Sequence, residues 1–243
     1  MWYKLIKLGS IAFLEKCKQE ISDEFKRSGC EVADDLENIH KYVEYEMINS
    51  IRMKAFERIN RLDWKPSIID MFEKSIIETC GPDFVIQKKL NLSVVMPGDK
   101  SSTLPGHSDC WSGDSPFQVN FWIPLTRAFE TNGMFILPED KSFQIFEKIR
   151  SGYKFDEQSR PDMKYFVTTE PGYAVVFNPT LFHGSVENET NTTRISLNVR
   201  VKNLFAPDFS ASCPDRAQSS YYDVGNISDH SKLALRYMKL TKK

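Results

Sequence analysis

A few residue types recur in this chain at spacings that can do chemistry. The segment Pro105-Gly106-His107-Ser108-Asp109 sets an imidazole and a carboxylate two positions apart. On an extended strand, residues i and i+2 share a face, so His107 and Asp109 can reach one metal ion together. A second imidazole, His183, follows in Asn178-Pro179-Thr180-Leu181-Phe182-His183-Gly184. Two imidazoles and one carboxylate form the donor set that holds Fe(II) with coordination positions left open. Eleven positions beyond His183 comes Arg194, and two further Ser196, in the β-like run Arg194-Ile195-Ser196-Leu197-Asn198. This pair also shares a strand face, and it offers a planar two-pronged cation and a hydroxyl to a carboxylate. A dicarboxylate cosubstrate would be held in that way.

Taken alone, a His-x-acid pair in a chain this acidic is roughly a coin flip; the joint acid, Arg and Ser offsets reduce coincidence to about one in a hundred. His40 and His230 lack such company and are expected to be hydrogen-bonded core histidines.

The elements that must position these groups follow from periodicity. The first third reads as helical: Ser10 to Gly29, Leu36 to Leu62, and a helix with Pro66 in its first turn that stops at Gly81-Pro82. From Phe84 the period changes to two. Val85–Met96, Phe117–Leu125, Gly133–Leu137, Tyr165–Thr169, Tyr173–Phe177 and Arg194–Val201 read as strands. A short helix, Phe143–Ile149, interrupts them, and Ser228 to Leu240 is helical again. The expected fold is one α+β domain over residues 1–243: residues 1–82 mainly helical, 83–205 a β-rich barrel or sandwich, 206–243 a tail with a helix.

Composition narrows the partners. Over 243 residues the net charge is -1, which advertises neither nucleic acid nor an anionic membrane surface. The five cysteines are scattered and form no C-x-x-C pair, which argues against a disulfide framework or structural zinc. Lys4 and Lys7 interrupt the only apolar stretch near the N-terminus, and no apolar run could span a bilayer, so a cytoplasmic chain acting on a small molecule is expected.

The motif His107-x-Asp109 … His183-x(10)-Arg194-x-Ser196 resembles that of the Fe(II)/2-oxoglutarate-dependent oxygenases, and within them the phytanoyl-CoA dioxygenase-like group. Phe117-Gln118-Val119-Asn120-Phe121-Trp122-Ile123-Pro124-Leu125 and Thr131-Asn132-Gly133-Met134-Phe135-Ile136-Leu137-Pro138 are similar to that group's tryptophan strand and Asn-Gly hairpin. Met96-Pro97-Gly98-Asp99 and Asp109-Cys110-Trp111-Ser112-Gly113-Asp114 resemble strings in oxygenases of bacterial surface-carbohydrate and aminoglycoside gene clusters. The resemblance covers about Phe84 to Lys202, and the helical first third carries no motif of its own.

This resemblance implies a double-stranded β-helix, a jelly-roll barrel of cupin type. It implies Fe(II) on His107, Asp109 and His183, and 2-oxoglutarate held at its distal carboxylate by Arg194 and Ser196. O2 would then react at the iron, the cosubstrate would be decarboxylated, and a small polar, sugar-containing substrate would be oxidised, most simply by hydroxylation. Gln87 and Asn120, on strands facing the same cavity, are expected to hydrogen-bond 2-oxoglutarate. Trp111, Ser112, Asp114 and Arg200 flank the metal segment or the Arg194 strand and are expected at the substrate mouth, where tryptophan suits a sugar face. Two other classes compete: a cupin-type sugar isomerase or epimerase, and a non-catalytic binding module on the same fold. The first usually wants an H-x-H pair where this chain has His107 and Asp109, and the second leaves the full ligand set unexplained.

Overall fold

The structure, a computed structural model of the chain, describes residues 3–30, 34–152, 160–207 and 218–241; Cys213 falls outside them. Its first three helices each bury one face. Helix α1 (Ala12–Arg27) turns Phe13, Leu14, Cys17, Ile21 and Phe25 inward, the spacing of an amphipathic helix. The single helix expected over Leu36 to Leu62 is instead a 3-10 turn, Leu36–Lys41, followed by α2 (Tyr45–Ile59). Glu37 explains the break: its carbonyl accepts the Thr193 N–H at 2.8 Å and its carboxylate the Arg127 N–H at 2.8 Å. These ties to the barrel override the local helical pattern. Helix α3 (Trp64–Cys80) carries Pro66 in its first turn, as the spacing predicts.

The strands are β1 (Tyr3–Lys7), β2 (Phe84–Gln87), β3 (Asn91–Val95), β4 (Gln118–Pro124), β5 (Phe135–Ile136), β6 (Tyr173–Phe177), β7 (His183–Gly184), β8 (Arg194–Asn203) and β9 (Tyr222–Asn226). Seven form one sheet in the order β1-β6-β4-β8-β2-β9, with β3 also paired to β8; β5 and β7 form a second, small sheet. β8 is the hub. β4 lies along one side of it, while β3 takes its first half and β2 its end on the other. The expected run Val85–Met96 therefore divides into two strands.

Three strands escape the sequence reading: the two-residue β7, and β1 and β9, which pair at the two edges of the large sheet with β6 and β2. Tyr165–Thr169 is not a strand: a 3-10 turn, Met163–Tyr165, leads to single bridges at Phe166 and Thr169. Helix α4 starts earlier than expected and runs Glu139–Arg150; α5 (Gln218–Tyr221) and α6 (Asp229–Thr241) follow β8.

The layers follow from alternation along the strands. On the outer face of the large sheet, Phe121, Ile123, Ile195, Leu197, Val199 and Val201 pack in one buried cluster with α1, α2 and α3. The Phe72 and Phe121 rings meet there at 4.5 Å. The small sheet is backed by α4 through Phe135, Leu137, Phe166 and Phe182 against Ile145 and Phe146. Between the sheets lies the inner face of the double-stranded β-helix. No helix among the described residues is long and apolar enough to cross a membrane.

Phe121 is fully buried between α3 and the sheet. Phe121→Ala should destabilise the protein by about 3–5 kcal/mol in urea unfolding. Leu240→Ala, at an exposed position near the end of α6, should change stability by less than about 0.5 kcal/mol.

Candidate active site

The inner face begins with the polar side chains that alternation turns inward from β8: Arg194, Ser196, Asn198 and Arg200. Arg194 stands opposite Val95, and the other three stand opposite a polar or aromatic partner on a neighbouring strand. Ser196 faces Ser93 and Asn198 faces Asn91 on β3, while Asn198 and Arg200 face Trp122 and Asn120 on β4.

His107 and His183 reach this face from the small sheet. Their backbones form a mutual antiparallel bridge, His107 N–H to His183 O at 2.8 Å and His183 N–H to His107 O at 2.9 Å. Two glycines permit this approach. A Cβ on Gly106 would lie 2.3 Å from the Phe182 ring, and one on Gly184 2.8 Å from the Leu104 carbonyl oxygen. Asp109 does not continue a strand, as the sequence suggests. It opens a 3-10 turn, Asp109–Ser112, anchored by its N–H and by the Ser108 hydroxyl on Pro179 O at 3.1 and 3.0 Å. His107 and Ser108 precede that turn, and the shared direction of His107 and Asp109 survives.

The three donors converge. His107 Nε2 lies 3.3 Å and His183 Nε2 3.8 Å from Asp109 Oδ1, and all three ligand atoms fall within 4.8 Å of one another. Each imidazole engages a backbone carbonyl two residues earlier through Nδ1, at 2.8 Å: Pro105 O for His107, Leu181 O for His183. Those bonds leave Nε2 as the free lone pair and fix both rings, the arrangement that metal-binding histidines use. Burial pushes His183 down to about 4, so its ring is neutral at pH 7. The donor set therefore fits a divalent metal.

Behind the carboxylate stands a second set of residues. Burial alone would raise the Asp109 pKa. The Arg200 guanidinium, then the two imidazoles and the Asn120 amide, hold it well below the usual carboxylate range. Asn120 Nδ2 donates to Asp109 Oδ2 at 2.6 Å and Arg200 Nη2 to Oδ1 at 3.1 Å. Arg200 Nε lies 3.4 Å from Asp114, and its Nη1 donates to the Tyr221 hydroxyl at 3.3 Å. Asn120 accepts a further bond from Gln118.

These contacts change four sequence expectations. Asn120 is spent on Asp109 rather than on a cosubstrate. Gln87 faces backbone, its Nε2 donating to Lys89 O and Asn198 O and its Oε1 accepting the Arg200 N–H, and it does not border the cavity. Asp114 is buried beside Arg200, away from any mouth, and Arg200 is turned onto the two aspartates. Trp111 and Ser112 are exposed, and the Trp111 ring meets Phe146 and Phe182 edge-on. Of the remaining histidines, His40 is part-buried and bonds Thr193, whereas His230 is exposed rather than in the core.

Arg194 occupies the other end of the same cavity, which has a volume of about 220 Å³. Its Nε donates to Asn132 O at 2.9 Å, and Nη1 to Ser196 and Ser93 at 2.7 and 3.1 Å. Among the described residues no carboxylate lies within ion-pair range of it. Burial lowers its pKa to about 10, and it stays charged at pH 7. Sequence reasoning missed Ser93 and the Asn132 carbonyl as its supports. It also missed Asn198, whose buried Oδ1 has no hydrogen-bond partner beside the cavity. Period-two reading of Arg194 to Arg200 carried the signal for Asn198.

The family model described as phytanoyl-CoA dioxygenase (PhyH) matches residues 19–196, which include both histidines, Asp109, Arg194 and Ser196. The chain is 31% identical over 116 residues to the streptomycin biosynthesis protein StrG of Streptomyces griseus, a match covering 47% of this chain and 43% of that protein. It thus spans less than half the length of that relative. Among solved structures it is similar to the non-heme monooxygenase ThoJ in its apo form, with TM-score 0.54 and 16% identity over 94% of this chain and 81% of that one. HygX from Streptomyces hygroscopicus with iron bound gives TM-score 0.51 and 12% identity over 92% and 93%. At such identities the likeness to the two structures is one of fold.

Arg200→Met should leave two buried aspartates without their cation and cost about 3–5 kcal/mol in denaturant unfolding. Arg200→Lys should fall between, since it keeps the charge and loses the fork. The pH dependence of the metal-free protein follows from His183, whose pKa is lowered from 6.5 to about 4 on folding. A depressed pKa contributes stability at high pH that is lost with acid. Thermal stability should therefore fall as pH drops from about 6.5 through 4, and His183→Gln should remove that part of the dependence.

Proposed function

Because the chain belongs to the phytanoyl-CoA dioxygenase family of non-haem Fe(II)/2-oxoglutarate-dependent oxygenases, we propose that it hydroxylates a small, polar, sugar-containing metabolite in carbohydrate or natural-product biosynthesis. One observation carries the reading. A single cavity has three converging metal donors at one end and a buried, uncompensated guanidinium at the other. The relative named for streptomycin biosynthesis supports the choice of substrate class.

In this reading His107, Asp109 and His183 hold Fe(II), while Arg194 and Ser196 receive the distal carboxylate of 2-oxoglutarate. Bound iron, 2-oxoglutarate and O2 supply the oxidising chemistry, with succinate as a coproduct. The chain's own work is positioning. The two Nδ1 bonds aim the imidazoles, and Arg200 and Asn120 hold both oxygens of Asp109 in place. Ser196, Ser93 and the Asn132 carbonyl fix the plane of Arg194 before any anion arrives. Trp122, Met134 and Phe177 line the cavity between the two ends and keep bulk water from it.

Anaerobic loading should show strongly reduced iron in His107→Ala, Asp109→Ala and His183→Ala; full occupancy in the last two would sink the ligand set. Titration of 2-oxoglutarate, followed by the metal-to-ligand absorption of the Fe(II) complex, tests Arg194 separately. Removing one partner of a desolvated charge pair costs about 2–5 kcal/mol, so Arg194→Leu should weaken cosubstrate binding roughly 30-fold or more. Arg194→Lys should be intermediate and Ser196→Ala milder, with iron uptake nearly unchanged in all three. Substrate class is read from succinate formation against nucleotide sugars, amino sugars and acyl thioesters, and turnover confined to the thioesters would overturn the sugar assignment.

A further inference from the structure

A second cavity, of about 450 Å³, opens between α2 and the loop joining β3 to His107. It adjoins the metal cavity: Leu92, Ser93, Ser102 and Leu104 border both. Its volume lies within the range of about 300–1,000 Å³ usual for small-molecule sites. The rest of its wall sets Asn49 and Arg52 from the helix and Ser101 and Thr103 from the loop beside the apolar Ile48 and Val94.

This wall is held in place from behind. Arg52 is fixed at both ends of its fork, Nη1 donating to Leu92 O at 3.2 Å and Nη2 to Asn49 Oδ1 at 2.7 Å. Among the described residues no acid lies within ion-pair range of it, so a half-buried cation faces the cavity without a counter-charge. On the loop side, buried Asp99 accepts the Ser101 N–H at 2.8 Å and the Ser101 and Ser102 hydroxyl protons. Burial opposes ionisation of Asp99, but these bonds hold its pKa below the ordinary value. The Thr103 hydroxyl donates to Lys100 O at 2.8 Å. With their protons committed, all three hydroxyl oxygens are left as acceptors.

A fixed guanidinium beside acceptor oxygens suits a ligand that carries an anionic group and several O–H donors. We propose that this cavity binds the anionic end of the primary substrate, a phosphorylated or carboxylated polyol. Its anionic group pairs with Arg52, and its hydroxyl-bearing part extends past Ser93 and Ser102 to the metal cavity. The proposal rests on the oxygenase reading above and adds the charge of the substrate and the place where it is read. It also moves substrate selection from the Trp111–Asp114 segment to the helical layer.

The test uses the full chain, metal-free, with 15N-labelled arginine. The Nε–H signal of Arg52, identified by its loss in Arg52→Lys, should shift saturably with inorganic phosphate and glucose 6-phosphate or with glucuronate, and not with methyl glucoside. Which of the two anions acts at lower concentration distinguishes a phosphate from a carboxylate. By calorimetry, Arg52→Met should weaken the better probe about tenfold or more, the usual worth of a hydrogen-bonded charge. Fe(II) and 2-oxoglutarate binding should stay within about twofold of wild type. No saturable response of Arg52 to any of these anions overturns the proposal. So does an Arg52→Met variant that weakens 2-oxoglutarate as much as the probes, since Arg52 would then belong to the cosubstrate. If the wild type responds at Arg52 yet takes up neither Fe(II) nor 2-oxoglutarate, the anion site stands and the oxygenase reading fails.

Discussion

The alternation of side chains along β8 sets the position of both buried arginines of the cavity, and of Ser196 and Asn198 between them. Ile195, Leu197, Val199 and Val201 point into the helical core, so Arg194, Ser196, Asn198 and Arg200 must point into the cavity. A slip of one residue would drive two arginines into the core and turn four apolar side chains to the polar face. The register is held on both sides at once, by β4 over Ser196–Lys202 and by β3 and β2 on the other edge. The precision of the site is therefore inherited from the packing of the core, and nothing in the cavity has to specify it.

The two guanidiniums on that strand show how one backbone pattern yields two functions. Strand rise puts their backbone positions roughly 20 Å apart along β8. Arg200 is neutralised from within, by Asp109 and Asp114, and its charge goes into orienting a metal ligand. Arg194 has only neutral partners: a carbonyl, two hydroxyls and the face of Trp122, whose ring centroid is 5.6 Å away. A buried cation without a counter-ion is destabilising on its own. That cost is one the surrounding core must carry.

Much of this was legible in the sequence, and the limits are physical. His107, Asp109, His183 and Arg194 stood out because metal and carboxylate binding would restrict residue type so strongly, and the fold brings all four to one cavity. The sequence pattern also expects Gln87 and Asn120 to face the cavity and Arg200 to lie at its mouth. It could not tell which partner satisfies each, because that depends on strands distant in sequence meeting in register. Asn120 therefore bonds Asp109, and Gln87 braces backbone. The turn at Asp109 and the break after Lys41 were hidden for the same reason, since each is fixed by hydrogen bonds to remote segments. Edge strands β1 and β9 are five residues each and carry too little pattern to stand out from loop.

The helical layer is where sequence reading says least and the structure adds most. Its buried residues, such as Ile48, Ile51 and Ala55 on α2, are explained by covering the sheet. Asn49 and Arg52 are not, since both belong to the same helix yet line a cavity adjoining that of the three candidate metal donors. The barrel therefore supplies the chemistry through strands whose register is pinned from two sides. The wall facing it adds one helix, and a loop tied to Asp99 by local hydrogen bonds, to the shared strand β3. Through Ser93, which bonds Arg194, and Leu104, which bonds Ser185 beside the His183 strand, part of that wall is tied to the site itself. Asn49 and Arg52 are not so tied, since among the described residues neither side chain bonds β8 or the donors, and a change at these two positions leaves the β8 register and the donors in place.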